Sequence, residues 1–205
     1  MSITLVALEK STGRLVSASV RSKRQQAFVK TSGVGALVLQ GDICASYIFA
    51  GAGALNSGDY SGLHQLMGND SSIDTRQLAL IDSRGSISVF TGKNCVGAAQ
   101  HAVNDADWCV AALCMHHQDQ AIPEVMATKF MSAQGTLEEK LLEALGAVSC
   151  TFNPNSEAVF TSVSEHDVLS EITAEGDGRE IVELLAGSLF QTSTESKKVL
   201  LSMSS

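Results

Sequence analysis

Proline is scarce in this 205-residue chain, with two residues in all, and aromatic residues make up only 5%. No stretch reads as a linker between domains, and no internal repeat is visible. Basic residues are also few: 14 Lys and Arg stand against 22 Asp and Glu, for a net charge of -8 and a pI near 5.0. That balance argues against nucleic acid or an anionic membrane as partner, since both select clustered Lys and Arg. The only basic run is Arg21-Ser22-Lys23-Arg24, with no aromatic residue before Phe28, and it reads as a solvated loop. No window offers the roughly 20 consecutive apolar residues that cross a bilayer. Nor does the start show a basic region, an apolar segment and a cleavage site in series. The five cysteines are odd in number and irregular in spacing, which points to reduced, mostly buried thiols and a cytoplasmic protein.

What is present is a globular composition: 44% hydrophobic and 18% charged residues, frequent Gly, and length enough for one domain with a real core. Ile3 to Leu8 and Arg14 to Val20 read as two strands joined by the turn at 9–13. Gly33 to Leu39 reads as a third, buried strand. "RQLALID" (76–82) and "SISVFTG" (86–92), joined through Ser83-Arg84-Gly85, form the strongest local signal, a hairpin. Asp107 to Met115 is a strand apolar on both faces, as a central strand between layers is. Pro123 opens a helix over 123–133, and Thr136 caps a second over 136–146. Leu137, Leu141, Leu142 and Leu145 of that second helix lie along one side, and Gly146 is its expected stop. A helix at 179–189 and a closing strand at 198–203 complete the reading. Hairpins followed by consecutive helices indicate an α+β fold with antiparallel sheet covered by helices, not alternating βαβ units.

Three features invite chemistry. "GAGALN" after the apolar run "ICASYIFA" resembles a dinucleotide loop, but Asn56 stands where the third glycine belongs, so a flexible loop near a site or a tight bend is expected instead. Cys95, His101, Cys109, Cys114, His116 and His117 concentrate metal-ligand types. Cys109 and Cys114 lie an odd number apart on a strand and point to opposite faces, so no metal and no cofactor is expected. Ser2 directly follows Met1 at the head of a strand. With Met1 removed, such a serine attacks an amide carbonyl while its own α-amino group, with an ordinary pKa near 8, takes the proton. An ordinary start residue fits the same position.

The opening strand-turn-strand, the stretch "DTRQLALIDSRGSISVFTGKNCVGAAQH", "IPEVMATKF" and "LEEKLLEALGAV" together resemble the domain of unknown function 1028 family, within the N-terminal-nucleophile (Ntn) hydrolase superfamily. The most specific pieces are Arg76-Gln77-Leu78, Ile81-Asp82, Gly85, and Phe90-Thr91-Gly92 leading to Cys95, and the resemblance spans residues 2–148. It implies a single domain over 1–205, a four-layer αββα sandwich, and Ser2 as the matching hydroxyl residue. Thr91, Gly92 and the strand-end Arg21 are expected to line the substrate pocket. Proteasome-like relatives carry an acid near the end of the second strand; this chain has Ser19, then Arg21. Lys30 is the one loose counterpart of their catalytic lysine. The expected activity is hydrolysis of a small amide or peptide-like bond by a protein that self-associates into a homo-oligomer. A catalytically inactive ligand-binding or assembly module is the competing expectation.

Overall fold

β1 (Ser2–Glu9) and β2 (Arg14–Arg21) form the opening hairpin, in register from Ser2 opposite Arg21 to Glu9 opposite Arg14. In this computed structural model, which describes residues 1–22, 27–164 and 168–189, both faces of β1 are covered. Ile3, Leu5 and Ala7 project to one side, Val6 and Leu8 to the other, and all are buried. Covering on both sides explains the apolar run without strict alternation. The remaining strands are β3 (Ala27–Ser32), β4 (Gly35–Gly41), β5 (Arg76–Asp82), β6 (Ile87–Thr91), β7 (Ala99–Asn104), β8 (Trp108–Met115), β9 (Ser156–Val163) and β10 (Val168–Gly176). They make a six-stranded sheet in the order β10-β9-β2-β1-β8-β7 and a four-stranded sheet in the order β3-β4-β5-β6. Every pairing is antiparallel.

Three apolar clusters hold the elements together. The largest joins the outer face of the six-stranded sheet to α3 (Ile122–Ser132), α4 (Leu137–Val148) and the helical stretch 178–189. The second lies between the sheets, where Val6, Leu8, Leu15, Ala111 and Leu113 meet Ala36, Val38, Ala79 and Ile81. The third places α1 (Ala45–Ser57) and α2 (Ser61–Asn69) over Leu37, Leu39, Leu78 and Leu80. Among the described residues no helix is long and apolar enough to cross a membrane.

The hairpin at 76–91 and the helices opened by Pro123 and Thr136 stand where the sequence indicates. At α4 the Thr136 hydroxyl accepts from the Glu139 amide while the Glu139 carboxylate accepts from the Thr136 amide, a complete capping box. α4 runs past its expected stop at Gly146 to Val148, because Val148 extends the buried stripe. The larger correction concerns "GAGALN". This stretch is the second half of α1, not a loop or a bend. Tyr47, Gly51, Ala54 and Leu55 recur at i, i+4, i+7 and i+8 and face the sheet. A Cβ at Gly51 would sit 2.8 Å from Leu37 Cδ2, so glycine serves close helix–sheet approach there. Arg21 ends β2, as its strand-end reading has it, and β3, β7, β9 and β10 are strands that the apolar pattern did not reveal. The closing strand expected at 198–203 falls outside the described residues.

Candidate active site

Four of the strands bordering the inter-sheet layer change character along their length. On β1 the inward residues run Leu8, Val6, Thr4, Ser2; on β2, Leu15, Ser17, Ser19, Arg21; on β4, Ala36, Val38, Gln40; on β5, Ile81, Ala79, Gln77. One end of the layer is therefore apolar, and the end holding Ser2 is lined by hydroxyls and carboxamides. Met115 of β8 stands opposite Ser2 and marks the same end, with its terminal methyl about 3.1 Å from where a Gly41 Cβ would lie.

Most of these polar groups satisfy one another. Thr4 Oγ1 and Ser19 Oγ are 2.9 Å apart, and Gln40 Nε2 donates to Thr4 Oγ1 across the gap at 2.8 Å. Ser17 Oγ and Thr31 Oγ1 make a second bridge between the sheets at 2.7 Å. Gln77 Nε2 donates to Thr91 Oγ1 at 3.0 Å and to the Ala99 carbonyl at 2.9 Å. Among the described residues, three buried atoms at this end have no hydrogen-bond partner: Ser2 Oγ, Gln40 Oε1 and Gln77 Oε1. Burying a polar atom unpaired costs about 1–3 kcal/mol, so three together mark a place where something other than stability is served.

Ser2 is the first residue of β1 and 1% exposed, with its hydroxyl on the inter-sheet face. Met1 prolongs the strand. Its carbonyl accepts from the Ser22 amide at 3.0 Å, its α-amine donates to Ser22 Oγ at 3.3 Å, and its side chain is 5% exposed within the helix-side core. Burial lowers the pKa of that amine, with the Cys114 thiol opposing. While Met1 is attached, the nitrogen of Ser2 is a peptide amide and cannot accept a proton.

Arg21 lies directly across from Ser2, but its guanidinium is clasped by the Glu157 carboxylate of β9 at 3.1 and 3.2 Å. Thr91 is on the same inter-sheet face, reached from Ser2 through Thr4, Gln40 and Gln77, and its hydroxyl donates to Gln100 Oε1 at 2.8 Å. The Gly92 amide donates to the Arg76 carbonyl, and a Cβ there would meet the Asp74 carbonyl at 2.4 Å. Gly92 thus answers a close backbone approach. Lys30 is on the opposite face of β3, in a recess with Phe28, Leu37, Ile48 and Leu55, and does not face Ser2. Neither Gln40 nor Gln77 is among the site residues expected from the sequence, although a glutamine ending the apolar run "ALVLQ" or opening "QLALI" is the available signal. Cys109 lies between the sheets and Cys114 on the helix side, all five thiols are free, and burial pushes the Cys114 pKa up to about 12. Among the described residues no group of three or more His, Cys, Asp and Glu could hold a metal ion.

No curated protein matches this chain. Among solved structures, a protein of family DUF1028 from Silicibacter pomeroyi superposes with a TM-score of 0.72 at 20% identity, covering 94% of this chain and 86% of that one, a likeness of fold. Anbu, described as an ancestral beta-subunit, from Yersinia bercovieri aligns at a TM-score of 0.42 and 11% identity over 95% of this chain and 97% of its own. Anbu from Hyphomicrobium sp. strain MC1 aligns at 0.37 and 12% identity, over 95% and 97%. The profile of the family of unknown function DUF1028 matches residues 4–151, and this chain belongs to that family.

Proposed function

We propose that this chain is a four-layer αββα protein of the N-terminal-nucleophile type, and that it hydrolyses a small amide or peptide-like bond with Ser2 as nucleophile. The observation that carries the reading is the unpartnered Ser2 hydroxyl at the head of the central strand β1, on the same inter-sheet face as two orphaned carboxamide oxygens. Once Met1 is removed, the freed α-amine of residue 2 takes the proton from Oγ as Oγ attacks the substrate carbonyl. The tetrahedral adduct collapses to an ester on Ser2 as the α-ammonium gives its proton to the departing amine, which leaves the α-amine neutral again. Water, deprotonated by the same α-amine, then cleaves the ester and returns the hydroxyl. Thr91 and Gly92 already use their donors within the protein, so in this reading they hold the wall of the site and the oxyanion draws its donors elsewhere. Free thiols fit a cytosolic location.

The second reading, a fold of this type that binds a ligand or assembles without cleaving, is favoured by the packing of Met1 into the core. Among the described residues the inter-sheet face near Ser2 holds one charged pair, Arg21–Glu157, which is closed on itself. Intact-mass measurement on protein from its own cells separates the two. Loss of Met1, with turnover of amide substrates that vanishes in Ser2→Ala, is expected for the hydrolase. A retained Met1 in the native protein refutes it.

A further inference from the structure

We infer that Cys44 is a peroxide-sensitive thiol, held as a nucleophile where α1 begins beside the buried guanidinium of Arg76. The chemistry is independent of Ser2, although Gln40 and Gln77 border this recess as well. Cys44 occupies the N-cap position of the 13-residue α1 in extended conformation, makes no side-chain capping bond, and is partly exposed. The first turn of α1 carries no acidic residue, and the positive end of the helix favours a negative sulfur.

The second observation is Arg76, which lines the same recess together with Asp42, Cys44 and Tyr47. Arg76 is 8% exposed; its Nε donates to Asp70 at 2.7 Å, and its guanidinium lies 5.2 Å from the centre of the Tyr47 ring. Its Nη1 is buried without a hydrogen-bond partner, and the Asp42 carboxylate is 3.6 Å away on a side chain that is 63% exposed. A buried guanidinium N–H left unspent is costly unless an anion receives it. The Ser46 hydroxyl foremost, and then the charge of Arg76, lower the pKa of Cys44. Burial instead raises Cys95, Cys109 and Cys114.

The Cys44 thiolate attacks one oxygen of a hydroperoxide, a sulfur–oxygen bond forms and the oxygen–oxygen bond breaks. Sulfur loses two electrons and becomes a sulfenic acid, while the departing oxygen takes a proton and leaves as water or an alcohol. The sulfenate form offers Arg76 Nη1 the acceptor that it lacks. The charged and titratable groups that line the recess with Cys44 are Arg76, Asp42 and Tyr47, and Asp70 is bonded to Arg76. Burial and Asp70 push Tyr47 up to about 12, so it stays neutral, and Asp70 is held ionised by its bond to Arg76.

The test treats the full chain at pH 7 with less than one equivalent of hydrogen peroxide, traps sulfenic acid with dimedone, and maps the adduct by mass spectrometry. The adduct is expected at Cys44 ahead of Cys150, which is exposed but lies at no helix start of this kind. Iodoacetamide should also alkylate Cys44 first, with a lower pH midpoint than Cys150. Ser46→Ala, at an exposed position, should slow that alkylation at pH 7 by roughly threefold, and Arg76→Met by at least as much. If Arg76→Met fails to fold, Ser46→Ala alone decides. Equal labelling of Cys44 and Cys150, or an unchanged rate in Ser46→Ala, overturns the inference.

Discussion

Replacing Ser2 by alanine should stabilise the protein, an unusual sign for a buried site. Its Oγ has no hydrogen-bond partner among the described residues and Ser2 is 1% exposed, so the wild-type fold bears the cost of stripping water from a hydroxyl. That cost is about 1–3 kcal/mol for an unpaired polar group, and loss of one small atom's packing returns a fraction of it. The expected net gain is about 1 kcal/mol, or a rise in Tm of roughly 2–4 °C for a chain of this size. Thr4→Val, two residues along the same face, is the internal control. Thr4 Oγ1 contacts Ser19 Oγ and accepts from Gln40 Nε2, so valine there strands the Gln40 amide and should cost about 1–3 kcal/mol. Urea unfolding followed through the single tryptophan, Trp108, reads both. Opposite signs at positions 2 and 4 are the result expected. A loss of more than about 1 kcal/mol in Ser2→Ala would mean that the hydroxyl has a structural partner, and the argument that it is kept for chemistry would fall.

Asp82, 1% exposed, accepts from the Ser86 amide, the Arg84 amide and guanidinium, and the Tyr60 hydroxyl. Burial raises its pKa, but these donors outweigh burial and hold it below the usual carboxylate value. A carboxylate depressed in the fold stabilises above its unfolded pKa, about 3.9, and that stability fades as pH falls through the folded value. Asp82→Asn should therefore lower the urea midpoint at pH 7 and narrow the difference between pH 7 and pH 3; an unchanged difference refutes it. Lys140, also buried, donates to the Phe130 and Ala133 carbonyls at the end of α3 and lies 5.1 Å from the Trp108 ring centre. Lys140→Met should cost about 1–3 kcal/mol and shift Trp108 emission, checked by urea unfolding and fluorescence. Thr136→Ala removes the capping hydroxyl of α4 and should cost about 1 kcal/mol by thermal unfolding, with Thr136→Ser restoring most of it.

The features legible in the sequence are those whose causes are local. The turn at 83–85 between two β-prone runs, the Thr136–Glu139 cap, the proline opening α3 and the opposite faces of Cys109 and Cys114 depend on neighbours a few residues away. Strands such as β3 and β7 were not legible, because an edge strand with polar outer residues lacks an apolar run and is specified by the strand it pairs with. The glycines of α1 concealed its buried stripe, since glycine reads as a breaker in sequence but as close approach once Leu37 lies beneath it. Ser2 at the head of a strand could be read from position alone. That Gln40, Gln77 and Thr4 converge on the same inter-sheet face could not, because it follows from the register of β4 with β5 and the stacking of that pair on β1. Local propensity and period determine which residues form an element and which face is apolar; only packing between distant elements decides which polar groups meet, and which are left without a partner.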